Sequence, residues 1–230
     1  MRHAAIALLC VLATTPALAE SLPPADVALV FAVDVSGSVT DDSWKLQREG
    51  IASAIAGEEF ARARRAGATG RIAITILQFG TEARAVIGWR VIESADEARA
   101  VASEIRAMAR ADSGSTCIAK VLAKGVKELA RWADHALRRV IDVSGDGAEN
   151  CRGDVAGARS TALAAGITIN GLPIVTRSEP WIASWCEREL IGGPNAFMII
   201  ADGHQRFAEA FRRKLILEIA DAAPAAPLAR

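Results

Sequence analysis

The stretch FAVDVSGSVTDDSW, residues 31–44, ends an apolar run in Asp34 and then sets Ser36 and Ser38 on either side of Gly37. A carboxylate and two hydroxyls at alternate positions just past a buried strand can converge on one point. Two further stretches carry similar groups. DSGSTC, residues 112–117, offers Thr116 ahead of a helical pattern, and DVSGDGAEN, residues 142–150, holds Asp146 between Gly145 and Gly147. Asp34, Ser36, Ser38, Thr116 and Asp146 together make two carboxylates and three hydroxyls. That set suits a hard divalent cation, Mg2+ first, with Mn2+ and Ca2+ as alternatives, because these ions take oxygen ligands. Two acids neutralise the ion and hydroxyls add no formal charge, so a further anionic ligand from outside remains attractive. Each fragment also has a plain structural explanation: Asp-x-Ser as a cap or turn, Ser115 or Thr116 as a helix cap, Gly-Asp-Gly as a turn. Their arrival on successive strand-end loops favours a site.

The elements that must position these residues alternate along the chain. Asp26 to Val35, Arg71 to Gly80, Arg138 to Gly145, Gly166 to Val175 and Asn195 to Ala201 are short, rich in β-branched residues and almost continuously apolar, as strands buried on both faces are. Ala83 to Ile92 reads as an edge strand. Helical periodicity covers Asp41 to Ala66, Ser94 to Ala109, Cys117 to Ala133, Asp154 to Ala165 and His204 to Ala220, the last with Phe207, Phe211, Leu215 and Ile219 on one face. The alternation predicts an α/β fold: a doubly wound, mostly parallel sheet with helices on both faces. In such a sheet ligands bind beyond the carboxyl ends of the strands, where strand order reverses. The DVSGS loop belongs there.

With 230 residues, 51% of them apolar, the chain can bury the core of one domain. Its 27 basic and 27 acidic residues are interspersed, which excludes the electrostatic footprint of a nucleic-acid binder. Residues 1–19 read as a secretory signal: a basic start, an apolar stretch too short to span a bilayer, and Ala17-Leu18-Ala19 before Glu20. Cleavage after Ala19 leaves a domain over residues 20–221 and a flexible tail over 222–230, with no integral membrane segment. The expected location is periplasmic or secreted. Export places Cys117, Cys151 and Cys186 in an oxidising compartment, with room for one disulfide. Cys117 follows Thr116, and Cys151 lies shortly after Asp146, so the two belong on loops beside the same site and are expected to pair. Cys186 is the rival partner for either, and three buried thiols are the alternative.

DVSGSV resembles the Asp-x-Ser-x-Ser signature of the von Willebrand factor type A domain. A Thr in a Gly/Ser loop and then an Asp followed by Gly come in that family's order, over about Ala25 to Ala220. VIDVSGDG, GITINGLPI and LIGGPNAF are similar to a bacterial group of exported type A-like proteins without an assigned role. The resemblance implies a Rossmann-like fold and a metal-ion-dependent adhesion site in which Ser36, Ser38 and Thr116 touch the ion while Asp34 and Asp146 act directly or through water. The chain departs from the family pattern in having Gly114-Ser115-Thr116 for Gly-Gly-Thr, and Gly145 between Ser144 and Asp146.

Asp142 sits inside an apolar strand, where an ionised carboxylate is costly without partners. Its parity with Ser144 and Asp146 allows it to stand behind the site. Bonding to a neighbouring loop, or to Arg138 or Arg139, is the other reading. The function expected is a non-enzymatic binding module whose ion is completed by an acidic side chain of another protein. A hydrolase using the same ion needs a general base, and the strand-end loops contain no histidine, while Lys45 and Lys120 read as helix surface. A metal-free scaffold is the third reading.

Overall fold

The computed structural model describes residues 22–111 and 113–220. The signal-peptide and tail assignments, and the outer bounds of the domain, lie outside those residues, as does Asp112. Six strands, β1 (Ala25–Asp34), β2 (Ile72–Phe79), β3 (Ala83–Ile92), β4 (Ala136–Gly145), β5 (Thr168–Val175) and β6 (Ala201–Asp202), form one sheet in the order β3-β2-β1-β4-β5-β6. All neighbours pair in parallel except β3, which runs antiparallel to β2 at the edge.

The central strands are buried on both faces because each face has its own core. Along β1, Val27, Leu29, Phe31 and Val33 point into one cluster and Ala28, Val30 and Ala32 into the other, the period of two expected of a strand. The first cluster is covered by α1 (Asp41–Ala56), α2 (Glu58–Ala66), α3 (Ala95–Ala107) and α7 (Phe207–Ala220). The second is covered by α4 (Ile118–Ala130), α5 (Val155–Ala164) and a short α6 (Ile182–Trp185) that runs on as a π turn through Leu190.

The structure differs from the sequence expectation in three places. The helix expected over Asp41 to Ala66 is two: Gly57 takes an extended conformation (φ −76°, ψ 152°), ending α1 and leading into the acidic first turn of α2. The strand expected over Asn195 to Ala201 pairs at Ala201–Asp202, with a single bridge at Met198 upstream. Gly171 and Val175 of β5 hydrogen-bond toward this edge, and Pro173 between them has no N–H to give, so the ladder breaks there. The segment holding α6 carries no element in the sequence expectation, because it is too short for its periodicity to register.

Candidate functional site

Strand order reverses at β1, which has β2 on one side and β4 on the other. Asp34 is the last residue of β1 and is fully buried. Its Oδ1 accepts the Ser36 backbone N–H at 2.7 Å, which turns the chain back so that both serine hydroxyls face the same point. The Ser36 and Ser38 Oγ atoms lie 3.2 Å apart, and the Thr116 hydroxyl donates to Ser36 Oγ at 3.2 Å. Ser38 Oγ donates to Asp146 Oδ1 at 2.6 Å. All five residues expected from the sequence therefore meet. Asp34, Ser36, Thr116 and Asp146 are buried while Ser38 is exposed, so the cluster opens to solvent at Ser38.

Two features show how closely the loops are fitted. Asp34 Oδ2 is buried with no hydrogen-bond partner. A Cβ on Gly145 would lie 2.7 Å from that oxygen, so the residue separating Ser144 from Asp146 is the one that lets β4 pass close to Asp34. Burial pushes the Asp34 carboxyl up to about 7, against the hydrogen bonds from Ser36. For Asp146, burial works in the same direction, but the hydrogen bonds from His204 and Ser38 outweigh it together and hold the carboxyl below its ordinary value.

His204 is the residue that sequence reasoning missed. Its Nε2 lies 3.1 Å from Asp146 Oδ2. The expectation that no histidine stands by the strand-end loops held only for neighbours in sequence, because the His204–Arg206 turn brings this ring in from 58 residues away. Arg110 was also missed. Its guanidinium donates to the Val35 and Ser36 carbonyls at 2.8 and 2.7 Å and braces the first loop. Asn150 Oδ1 accepts the Thr116 N–H at 2.7 Å, and Glu149 accepts from the Ala119 and Cys151 N–H groups, both at 2.9 Å. Beside them Cys117 and Cys151 form the disulfide, so the second and third loops are joined covalently. Cys186 is a free, buried thiol that burial pushes up to about 12. Lys45 and Lys120 pair with Asp42 and Glu82 on the surface.

Asp142 plays neither of the roles expected of it. Its face of β4, shared with Val140, packs against α7, and its Oδ1 lies 2.6 Å from Lys214 Nζ. Among the described residues no three His, Cys, Asp or Glu side chains cluster as metal ligands. A cation at this point would depend on the three hydroxyls as much as on Asp34 and Asp146. The donor set fits a hard ion on those terms, since it has the oxygen chemistry and an orphaned carboxylate oxygen.

Solved structures with this architecture define its class as the von Willebrand factor type A fold. The mussel byssus protein PTMP1, solved with a zinc-occupied MIDAS motif, is 13% identical, with a TM-score of 0.58 over 85% of this chain and 46% of that one. A conserved hypothetical protein BatB from Bacteroides thetaiotaomicron is 13% identical, with a TM-score of 0.58 over 85% of this chain and 99% of that one. A von Willebrand factor type A protein from Catenulispora acidiphila is 15% identical, with a TM-score of 0.59 over 86% and 43%. At these identities the likeness is one of fold, and this chain spans less than half of the mussel protein. The chain belongs to the family described as "Protein of unknown function (DUF1194)", whose model matches residues 24–223. No curated protein matches it.

Proposed function

We propose that this chain is an exported binding module that holds one divalent ion, Mg2+ before Mn2+ or Ca2+, among Asp34, Ser36, Ser38, Thr116 and Asp146, and that an acidic side chain of a partner protein completes the coordination. The observation that carries the reading is the convergence of these five side chains at the strand-order reversal, with Asp34 Oδ2 left without a hydrogen bond. A bound ion would supply a positive focus for the partner's carboxylate. The chain's own residues set its surroundings. Ser36 and Ser38 present hydroxyl oxygens, Arg110 fixes the loop that carries them, and His204 orients Asp146. The zinc-occupied MIDAS motif of the mussel protein supports a cation at the corresponding place in the fold. The Cys117–Cys151 disulfide supports an oxidising compartment, and among the described residues no helix is long and apolar enough to cross a membrane.

Calorimetric titration of the protein with Mn2+ and Mg2+ tests the site. Ser36→Ala combined with Ser38→Ala should abolish binding while leaving the circular dichroism spectrum in place, and unchanged binding would remove the site assignment. His204 gives a second reading some support, because a general base beside the ion is what a metal-dependent hydrolase needs. Its Nε2 is engaged with Asp146, which favours an orienting role. Turnover of a phosphoester or ester that disappears in Asp34→Ala and in His204→Ala would establish the hydrolase instead. Absence of any cation effect would leave a metal-free scaffold.

A further inference from the structure

Beneath α7, on the face of the sheet away from the disulfide, lies a second polar cluster with no part in the proposed ion site. Lys214 and Glu218, one turn apart on α7, are fully buried, as is Asn170 of β5, and Asp142 of β4 is 2% exposed. Lys214 Nζ is 2.6 Å from Asp142 Oδ1 and 2.5 Å from Glu218 Oε1, and the same Oε1 accepts the Asn170 side-chain N–H at 2.9 Å. The Phe197 ring lies under the ammonium at 5.4 Å, and the first hydrophobic cluster surrounds the group. One buried cation thus faces two buried acids, and the contact with Asp142 is made outside hydrogen-bond geometry, for neither carboxylate oxygen of Asp142 has a hydrogen-bond partner.

A buried amine held against a buried carboxyl in a dry site meets the conditions for condensation. Proximity replaces a bimolecular encounter, and loss of water to bulk solvent draws the reaction toward the amide. We propose that Lys214 and Asp142 form an intramolecular isopeptide bond, with Glu218 as the proton-transfer group. Glu218 Oε1 takes a proton from the ammonium, and the freed Nζ attacks Asp142 Cγ. The Nζ–Cγ bond forms and the Cγ–OH bond of the neutral Asp142 acid breaks; the departing hydroxyl leaves as water with its own proton and one that began on Nζ, and the other Nζ proton stays on Glu218. Nothing is oxidised or reduced and no co-reactant is consumed.

Two observations support this assignment. Burial, followed by the charge of Glu218, pushes the Asp142 carboxyl up to about 7, toward the neutral acid that an amine attacks. Asn170 is the other possible electrophile, but its amide is engaged at both ends, donating to Glu218 and accepting the Phe197 N–H at 3.0 Å. The charge on Lys214 is the barrier. Burial opposes it, yet the two acids hold the pKa of the amine above its ordinary value. A single irreversible event per chain needs only a rare neutral amine. The product would tie α7 to β4, the strand that leads into Asp146.

The intact mass of the purified, reduced and denatured protein tests the bond directly. The expected mass is one water below that of the same polypeptide calculated from its sequence. Trypsin should fail to cut after Lys214 and should release a branched peptide joining Lys214 to Asp142. Full mass with normal cleavage after Lys214 would overturn the bond. Loss of one ammonia, with a branch at Asn170, would overturn the choice of Asp142. Glu218→Gln and Lys214→Arg should both keep full mass, and a Glu218→Gln protein that still loses water would overturn the role of Glu218. Wild-type protein collected in denaturant should start at full mass and lose water only after refolding, which keeps the test valid if a variant does not fold.

Discussion

Burial drives the Asp34 carboxyl up to about 7 and also leaves its Oδ2 without a hydrogen bond, so two properties of one side chain share one cause. Between the ordinary value of 3.8 and about 7, the folded chain holds a proton at Asp34 that the unfolded chain has released. The contribution of Asp34 to the stability of the cation-free protein therefore falls as pH rises through that window and is level on either side of it. A cation must displace this proton, so its apparent affinity should weaken about tenfold for each pH unit below about 7. Mn2+ titrations at about pH 5.5 and about pH 8 measure this, and equal affinities would show that Asp34 does not contact the ion. At the same scale Gly145 has a specific reason to be glycine, since any Cβ there would press on Asp34.

At the scale of elements, the site is an arrangement of three loops, and the disulfide holds two of them. Cys117 closes the loop before α4 and Cys151 stands in the loop after β4, 34 residues apart in sequence. Cross-linking a segment of that length stabilises a fold by roughly 3–4 kcal/mol, mainly by restricting the unfolded chain. The double replacement Cys117→Ser with Cys151→Ser should lower the urea unfolding free energy by about that amount. It should also weaken cation binding, because Thr116 would be placed only by its backbone bonds to Asn150 and its hydroxyl bond to Ser36, without the covalent tie at Cys117 next to it. A variant as stable as the wild type would mean that hydrogen bonds such as those of Glu149 and Asn150 suffice to hold the loops.

At the scale of the whole molecule, two apolar clusters on opposite faces of the sheet account for the fold without any ion. Folding and cation binding should therefore separate. In excess chelator the far-UV circular dichroism should be unchanged. Asp34→Ala should unfold within about 1 kcal/mol of the wild type, since the variant loses the bond to the Ser36 N–H but also removes a buried carboxylate with an unsatisfied oxygen. Partner capture, by contrast, should vanish in both cases. Binding that persists in chelator would exclude an ion-mediated contact, and a chelator-unfolded protein would mean that the cation belongs to the core.

What the sequence determined by itself was local. The apolar runs of β1, β2 and β4, the turn chemistry of DVSGS and the Gly-bounded Asp146 are each written in a few consecutive residues. Parallel α/β order then places their ends on one edge. The arrival of Asp34, Ser36, Ser38, Thr116 and Asp146 at one point was legible for that reason, while the pairing of Cys117 with Cys151 was favoured with Cys186 as a rival and is decided by the structure. The fates of His204 and Asp142 were not. Lys214 reaches Asp142, and His204 on the turn leading into α7 reaches Asp146, through the way α7 packs, with Phe207 stacked on Phe211 and Phe211 edge-on to Phe31 of β1. Helical periodicity identifies the apolar face of α7, but the registry of that face against a strand lying far away in sequence is decided by how the side chains interlock. Only the tertiary structure could therefore show which polar groups that interlocking buries together.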